Sequence, residues 1–129
     1  MDPLSDMIVR IKNAMLRGKE TMDLPASRMK GEVLRVLKEE GYISAFRLFK
    51  DGKKSTIKVL LKYAMGKAPV ITDMRRISKP SSRIYRGYRE FPRIRGGIGV
   101  NVISTTRGVM TDRSAKKLKV GGELLLQVW

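Results

Sequence analysis

The sequence predicts an α+β protein of two domains, an amino-terminal α/β domain with two helices and a small sheet and a carboxy-terminal, mainly antiparallel β domain with a short helix. Three observations support this. Apolar residues recur at helical spacing in two early segments, β-rich runs flank Asp51-Gly52 as in a hairpin, and the second half holds short β-rich runs separated by glycines. We place the domains at residues 1–64 and 65–129.

The first domain is predicted to contain a helix, a short strand, a second helix and a hairpin. Pro3 suits the first position of a helix, and residues 21–24 form a short extended segment. Ser27 can cap the second helix. The buried stripe expected on that helix consists of Met29, Val33, Leu34, Val36 and Leu37. Residues 42–49 and 56–61 then form the two strands of the hairpin.

The second domain is predicted to be built mostly from strands. Residues 70–77, 100–104 and 123–129 are the expected strands. Thr111 can cap a short helix over residues 112–118.

The charge of the chain indicates an anionic partner. Twenty-eight Lys and Arg against twelve Asp and Glu leave a net charge of +16 on 129 residues. Nucleic acid is the first candidate. A membrane surface fits less well, because no segment approaches the roughly 20 consecutive apolar residues of a spanning helix and no basic helix shows a bulky aromatic face.

The absence of two residue types restricts the chemistry. The chain has no Cys and no His, so disulfides, thiolate or imidazole metal sites and nucleophilic triads are excluded. The first six residues include two aspartates and no Lys or Arg, where a targeting peptide would be basic. We therefore expect a cytoplasmic protein with no metal, no cofactor and no small-molecule substrate.

Enzyme motifs are incomplete. Gly66-Lys67 lacks the earlier glycine and the following Ser or Thr of a phosphate loop, and residues 97–99 lack the third glycine of a dinucleotide site. The acidic residues are dispersed. The sequence therefore predicts a protein that is not an enzyme.

Residues 75–95 form an arginine-rich segment with interleaved aromatic residues. It has eight basic residues and one acid, together with Tyr85, Tyr88 and Phe91. Guanidinium groups bind phosphates or stack on bases, and aromatic rings accept unstacked bases. The simpler interpretation is a solvated surface with tyrosines at the edge of a core. We predict that Tyr85, Arg86 and Tyr88 contact RNA.

A second segment places small hydroxyl side chains before a glycine turn. Ser104, Thr105, Thr106 and Arg107 precede Gly108. Hydroxyls let a backbone approach RNA closely and can bond to the ribose 2′-hydroxyl. They also favour turns and caps, which is the simpler explanation. Two further candidates, Lys116 and Lys117, form either a phosphate-binding rim or an ordinary solvated face.

Several segments together resemble the ribosomal protein S8 family of the bacterial-type small subunit. Residues 97–99, 103–112 and 121–123 are similar to the family signature. Other matching segments follow in family order over nearly the whole chain, at residues 2–7, 10–14, 24–27, 38–43 and 77–80.

The resemblance implies the same two-domain fold and a structural role in the ribosome. It implies that the protein binds an irregular helix in the central domain of small-subunit ribosomal RNA. It also implies contact with neighbouring ribosomal proteins during assembly of the platform and, in some members, repression of the protein's own operon messenger RNA. No membrane partner is implied.

The resemblance also implies which residues contact RNA. They comprise a hydroxyl loop, two positions on the same surface and two lysines of the first domain: Ser104, Thr105, Thr106, Tyr85, Glu123, Lys30 and Lys54. Thr106 stands where the family usually has serine, so a hydroxyl is retained. Leu126 and Gln127 depart from the family, and no contact is assigned to them.

Two other functional classes remain open from the residues alone. One is a free RNA-binding regulator, which co-sedimentation with ribosomal subunits would distinguish from a ribosomal constituent. The other is an architectural DNA-binding module, which competition with duplex DNA would reveal.

Overall fold

The computed structural model describes residues 2–94 and 97–129. The chain forms two compact units, one of residues 3–71 and the other of Asp2 with residues 72–129. The first combines helices with a three-stranded sheet, and the second combines a five-stranded antiparallel sheet with a short helix. This confirms the predicted α+β fold class. The domain boundary after residue 64 stays a prediction.

The first unit has the predicted order of elements. They are α1 (Pro3–Leu16), β1 (Thr21–Pro25), α2 (Arg28–Glu39), β2 (Ile43–Asp51) and β3 (Lys54–Leu61). The sheet has the order β1-β3-β2, with both pairs antiparallel. Gly52, with φ of 62°, allows the tight turn between Asp51 and Lys54 that closes the hairpin.

Helix α2 confirms most of the predicted stripe and corrects one position. The Ser27 hydroxyl caps the helix by accepting from Lys30 N at 3.2 Å. Val33, Leu34, Val36 and Leu37 are buried as predicted, but Met29 is 39% exposed. Lys30 takes the buried place, at 5% exposed, because its ammonium group donates to the Pro25 carbonyl at 2.8 Å.

The second unit is built on a central strand near the carboxyl end. Its elements are β4 (Met74–Arg76), β5 (Tyr85–Arg86), β6 (Val100–Thr105), β7 (Gly108–Thr111), α3 (Asp112–Leu118) and β8 (Gly122–Val128). Strand β8 lies between β4 and β6, β7 follows β6, and β5 also pairs with β8. All these pairs are antiparallel. Thr111 caps α3 through Ser114 N at 3.1 Å, as predicted.

The strand predicted over residues 70–77 is wrong in its extent. Strand β4 begins only at Met74, which pairs with Val128 near the end of β8. Before it, the backbone N–H groups of Thr72 and Asp73 both donate to the Trp129 carbonyl. Residues 70–73 therefore lack the continuous partner strand that the prediction required.

Strands β5 and β7 were not predicted. They contain two and four residues, which is too short for a clear alternation of apolar and polar positions. The α3 side of the sheet is closed by a core of Phe91, Ile103, Ala115 and Leu124.

Two glycines permit the close approach of strands to β8. A Cβ on Gly122 would overlap the carbonyl of Ser104 in β6, and a Cβ on Gly121 would lie 2.5 Å from the carbonyl of Arg86 in β5. Neither carbonyl can move away without breaking its strand. The two glycines therefore set how tightly β5 and β6 close on β8.

Asn101 forms a fully satisfied polar network inside the second unit. It is 0% exposed, and its Nδ2 donates to the Pro92 carbonyl at 2.7 Å and to Asp112 Oδ2 at 2.9 Å. Its Oδ1 accepts from Gln127 Nε2 at 3.0 Å. One side chain thus fixes the loop before β6, the start of α3 and strand β8 to one another.

We expect Gly122→Ala to lower the free energy of unfolding by about 2 kcal/mol or more, because the added methyl group forces β6 away from β8. Gly31→Ala is the matched control. Gly31 lies inside α2 with open space at its Cβ, so alanine there should stabilise by about 1 kcal/mol. Urea unfolding of both variants measures this, and equal effects of the two substitutions would contradict the close-packing argument.

We expect Asn101→Ala to destabilise the protein by about 2–3 kcal/mol, because Pro92, Asp112 and Gln127 all lose a buried partner. Asn13→Ala, at an exposed position of α1, serves as the control and should change stability little. Thermal unfolding distinguishes the two. Similar melting temperatures for both variants would show that the network is dispensable.

Candidate nucleic-acid interface

Three predicted site residues lie in one row across adjacent strands. Tyr85 of β5 pairs with Glu123 of β8, and Glu123 pairs on its other side with Ser104 of β6. Directly paired residues present their side chains on the same face of a sheet. We call these three residues the cross-strand row. Positions separated by 19 or more residues in the sequence thus form one continuous surface.

The Glu123 carboxylate is held by two donors on the same oxygen atom. Ser78 Oγ donates to Oε2 at 2.5 Å, and Arg83 Nη1 donates to it at 2.9 Å. Burial raises the pKa of Glu123, but the bonds from Ser78 and Arg83, with the charges of Arg83 and Arg76, outweigh burial and lower the pKa below its usual value. Glu123 is therefore an ionised group in the middle of the row at neutral pH.

The hydroxyl segment occupies the end of β6 and the turn into β7. Thr105 Oγ1 donates to the Gly108 carbonyl at 2.8 Å and accepts from Arg107 N at 3.0 Å. Its hydroxyl thus stabilises the turn. Ser104 and Thr106 make no side-chain hydrogen bond to any residue in the described part of the chain, so their hydroxyls are available to a ligand.

The tyrosines and arginines beside the row differ in exposure. Tyr85 is 63% exposed, whereas Tyr88 is half-buried against the core and lies 5.4 Å from the Arg89 guanidinium. Arg86 is exposed and donates to the neighbouring Tyr85 carbonyl at 2.9 Å. Tyr85 can therefore stack on a base, while Tyr88 has mainly a packing role.

The arginine-rich segment is not uniformly available to a ligand. Arg76 has a side chain only 8% exposed, and its Nη1 donates to the Leu125 carbonyl at 2.6 Å. Arg95 lies outside the described residues. The remaining basic residues of the segment are exposed: Arg75, Lys79, Arg83, Arg86, Arg89 and Arg93. The phosphate-binding surface is thus smaller than the sequence count suggests.

Four predicted contacts are not members of the row. Lys116 and Lys117 directly follow Ala115 of α3, which packs with Ile103 and Leu124. Since side chains alternate along a strand, Ile103 and Leu124 face the side of the sheet opposite Ser104 and Glu123. Lys30 and Lys54 belong to the first unit, where Lys30 is buried and Lys54 is exposed. Lys54 lines an open groove with Arg10, Pro25 and Ser55.

Sequence reasoning missed Ser78 and the particular role of Arg83. Ser78 belongs to the segment 77–80 that matches the family, but an uncharged serine there gave no sign of a binding partner. Arg83 was counted only as one of the cations of its segment. Their common target, Glu123, lies 40 or more residues further along the chain.

No group of three or more acidic, His or Cys side chains in residues 2–94 and 97–129 could hold a metal ion. Within the same residues no helix has the length and apolar character needed to cross a membrane.

Comparisons with known proteins agree with the resemblance. Residues 2–129 match the model of the family described as ribosomal protein S8. The small ribosomal subunit protein uS8 of Solibacter usitatus is 48% identical over 128 residues, covering 99% of this chain and 98% of that protein. The protein of the same name from Caldicellulosiruptor bescii is 46% identical over 129 residues, covering 100% and 98%. That from Dictyoglomus thermophilum is 48% identical over 128 residues, covering 99% and 97%.

A family match over nearly the whole chain, with relatives at this identity, leaves no room for a different assignment. The chain belongs to the ribosomal protein S8 family and is a structural constituent of the small ribosomal subunit, not an enzyme.

Proposed function

We propose that this protein binds small-subunit ribosomal RNA directly through the cross-strand row and the adjoining turn of residues 105–107. The RNA site is an irregular helix of the central domain, and its binding helps neighbouring ribosomal proteins to assemble the platform. The observation that supports this most is the row itself, since three separately predicted contacts meet on one surface. The exposed arginines beside it supply the attraction to phosphate.

The side chains of this surface suit RNA more than duplex DNA. Ser104 and Thr106 offer unpaired hydroxyls that can bond to a ribose 2′-hydroxyl or a base edge. Tyr85 offers an exposed ring for a base that an irregular helix leaves unstacked. Arg86 and its neighbours bind phosphates and set the position of the RNA. Shape and local polar contacts thus determine the choice of RNA.

The geometry adjusts the roles of several predicted contacts. Lys30 is left out, because its buried ammonium group is used by the Pro25 carbonyl. Thr105 is assigned to shaping the turn, and Tyr88 to packing against the core on the α3 side of the sheet. Lys54, Lys116 and Lys117 remain proposed phosphate contacts outside the row. An operon messenger RNA that reproduces the irregular helix would bind to the same surface, which makes autogenous repression part of the proposal.

The experiment that tests this function compares two RNA hairpins of equal length, one with the irregular central-domain helix and one regularised by pairing its bulge. We expect tight binding to the irregular hairpin and weaker binding to the regular one. Both affinities should fall as salt rises, because releasing counterions into a more concentrated salt solution gains less entropy. Fluorescence anisotropy at several salt concentrations measures this. Equal affinities would show that the charge of +16 acts without selectivity.

We expect Ser104→Ala and Thr106→Val each to weaken binding to the irregular hairpin by roughly fivefold, the loss of one neutral hydrogen bond. Binding to the regular hairpin should change less. Thr21→Val, an exposed threonine of β1, is the matched control. Circular dichroism checks that each variant is folded. If both variants keep the selectivity of the unmodified protein, the free hydroxyls do not recognise RNA.

A further inference from the structure

Ser78 lies where three segments of the second unit meet. It follows β4, it is 0% exposed, and its backbone N–H donates to the Leu124 carbonyl at 3.0 Å. Its hydroxyl accepts from Ile84 N at 3.0 Å, just before β5, and donates to Glu123 Oε2 in β8. One hydroxyl therefore connects the backbone beside Tyr85 to the carboxylate next to it in the row.

Both hydrogen bonds to the Glu123 side chain act on one oxygen atom. Ser78 and Arg83 donate to Oε2, whereas Oε1 receives no hydrogen bond from residues 2–94 and 97–129. The side chain of Glu123 keeps 15% of its surface exposed. An ionised carboxylate only accepts hydrogen bonds. Oε1 is thus an unused acceptor beside Tyr85 and Ser104.

We propose that Ser78, assisted by Arg83, is a positioning residue for RNA recognition: it fixes Glu123 so that Oε1 accepts from one hydrogen-bond donor of the RNA. The donor is a ribose 2′-hydroxyl or a base amino group. This inference rests on the proposed binding of RNA to the cross-strand row. Its new content is that a buried serine sets which part of the RNA can approach Glu123.

A fixed carboxylate adds selectivity to a basic surface. A phosphate placed against Oε1 is repelled, while a donor placed there forms a charge-assisted hydrogen bond. Arg83 balances the charge of Glu123 without covering Oε1. If the carboxylate could turn freely, it could pair with any nearby arginine and lose this discrimination. Ser78 removes that freedom, since it is buried and bonded on both sides.

The ionisation of Glu123 gives a readout that a merely structural serine would not change. The charged or titratable groups facing Glu123 are Arg83 from the loop before β5, Arg76 from β4 and Tyr85 from β5. Burial raises the pKa of Glu123, and the hydrogen bond from Ser78 is the largest of the contributions that lower this pKa. Loss of the hydroxyl therefore raises the pKa. As the pH is lowered, a variant without this hydroxyl should therefore protonate Glu123 at a higher pH than the unmodified protein does. The part of RNA binding that needs ionised Glu123 is lost at that higher pH.

The test is a double-mutant cycle with Ser78→Ala, Glu123→Gln and the combined variant, measured on the irregular hairpin. We expect Ser78→Ala to weaken binding by about tenfold, the loss associated with a hydrogen bond to a charged group. In the Glu123→Gln background the same change should have less than about a twofold effect, since the ionised carboxylate that Ser78 positions is gone. Ser81→Ala, an exposed serine three positions away, is the control.

Equal effects of Ser78→Ala in both backgrounds would overturn the proposal, because the serine would then act independently of Glu123. Ser78→Cys keeps the buried volume and has only a weak donor, so it repeats the cycle if the alanine variant is unfolded. RNA affinity is also measured from neutral to acidic pH. Ser78→Ala and Ser78→Cys should each lose affinity at a higher pH than the unmodified protein. An unshifted profile would also overturn it.

Modified hairpins identify the donor. Single 2′-deoxy positions test the ribose, and inosine in place of guanosine tests the base amino group. If modification at one position removes the effect of Glu123→Gln, the proposal is supported and that position carries the donor. If no position behaves in this way, the proposal is overturned. Failure of the proposed function is a different outcome, because the unmodified protein would then bind the irregular and regular hairpins equally.

Discussion

The close packing of β5 and β6 on either side of Gly122 and Glu123 is the constraint on which the candidate interface depends. Gly121 and Gly122 lack the Cβ atoms that would overlap the carbonyls of Arg86 and Ser104. The next residue, Glu123, then has Tyr85 on one side and Ser104 on the other. Two glycines thus determine the spacing of a surface to which they contribute no side chain.

Local signals were sufficient for much of the fold. Ser27 and Thr111 cap helices through bonds three residues away, and the hairpin at Gly52 closes between neighbouring strands, so a short window of sequence contains each cause. The limits of β4 and the existence of β5 depend instead on β8, which lies more than 30 residues further along the chain. Lys30 is buried in place of Met29 because the Pro25 carbonyl accepts a hydrogen bond from its ammonium group. A hydropathy pattern does not show such a bond.

The structural role of each candidate site residue depends on contacts that the sequence does not show. Ser104, Thr105 and Thr106 look equivalent in sequence, yet the turn uses only the hydroxyl of Thr105. The packing of Ala115 against Ile103 places Lys116 and Lys117 on the α3 side of the sheet, and the sequence alone does not indicate that packing. The role of Ser78 follows only from its hydrogen bonds to Ile84 and Glu123, which are formed in the folded protein.

The net charge and the single carboxylate act on different properties of binding. Long-range attraction from exposed cations raises affinity for any RNA and weakens with salt. It cannot distinguish one helix from another of equal length. Several cations are moreover engaged within the protein, as Arg10 is with Asp6 and Arg35 with Glu32 and Glu39. Selectivity must therefore come from short-range groups whose orientation is fixed, and Glu123 is the most firmly held of these in the cross-strand row, since a buried serine donates to the same carboxylate oxygen as Arg83.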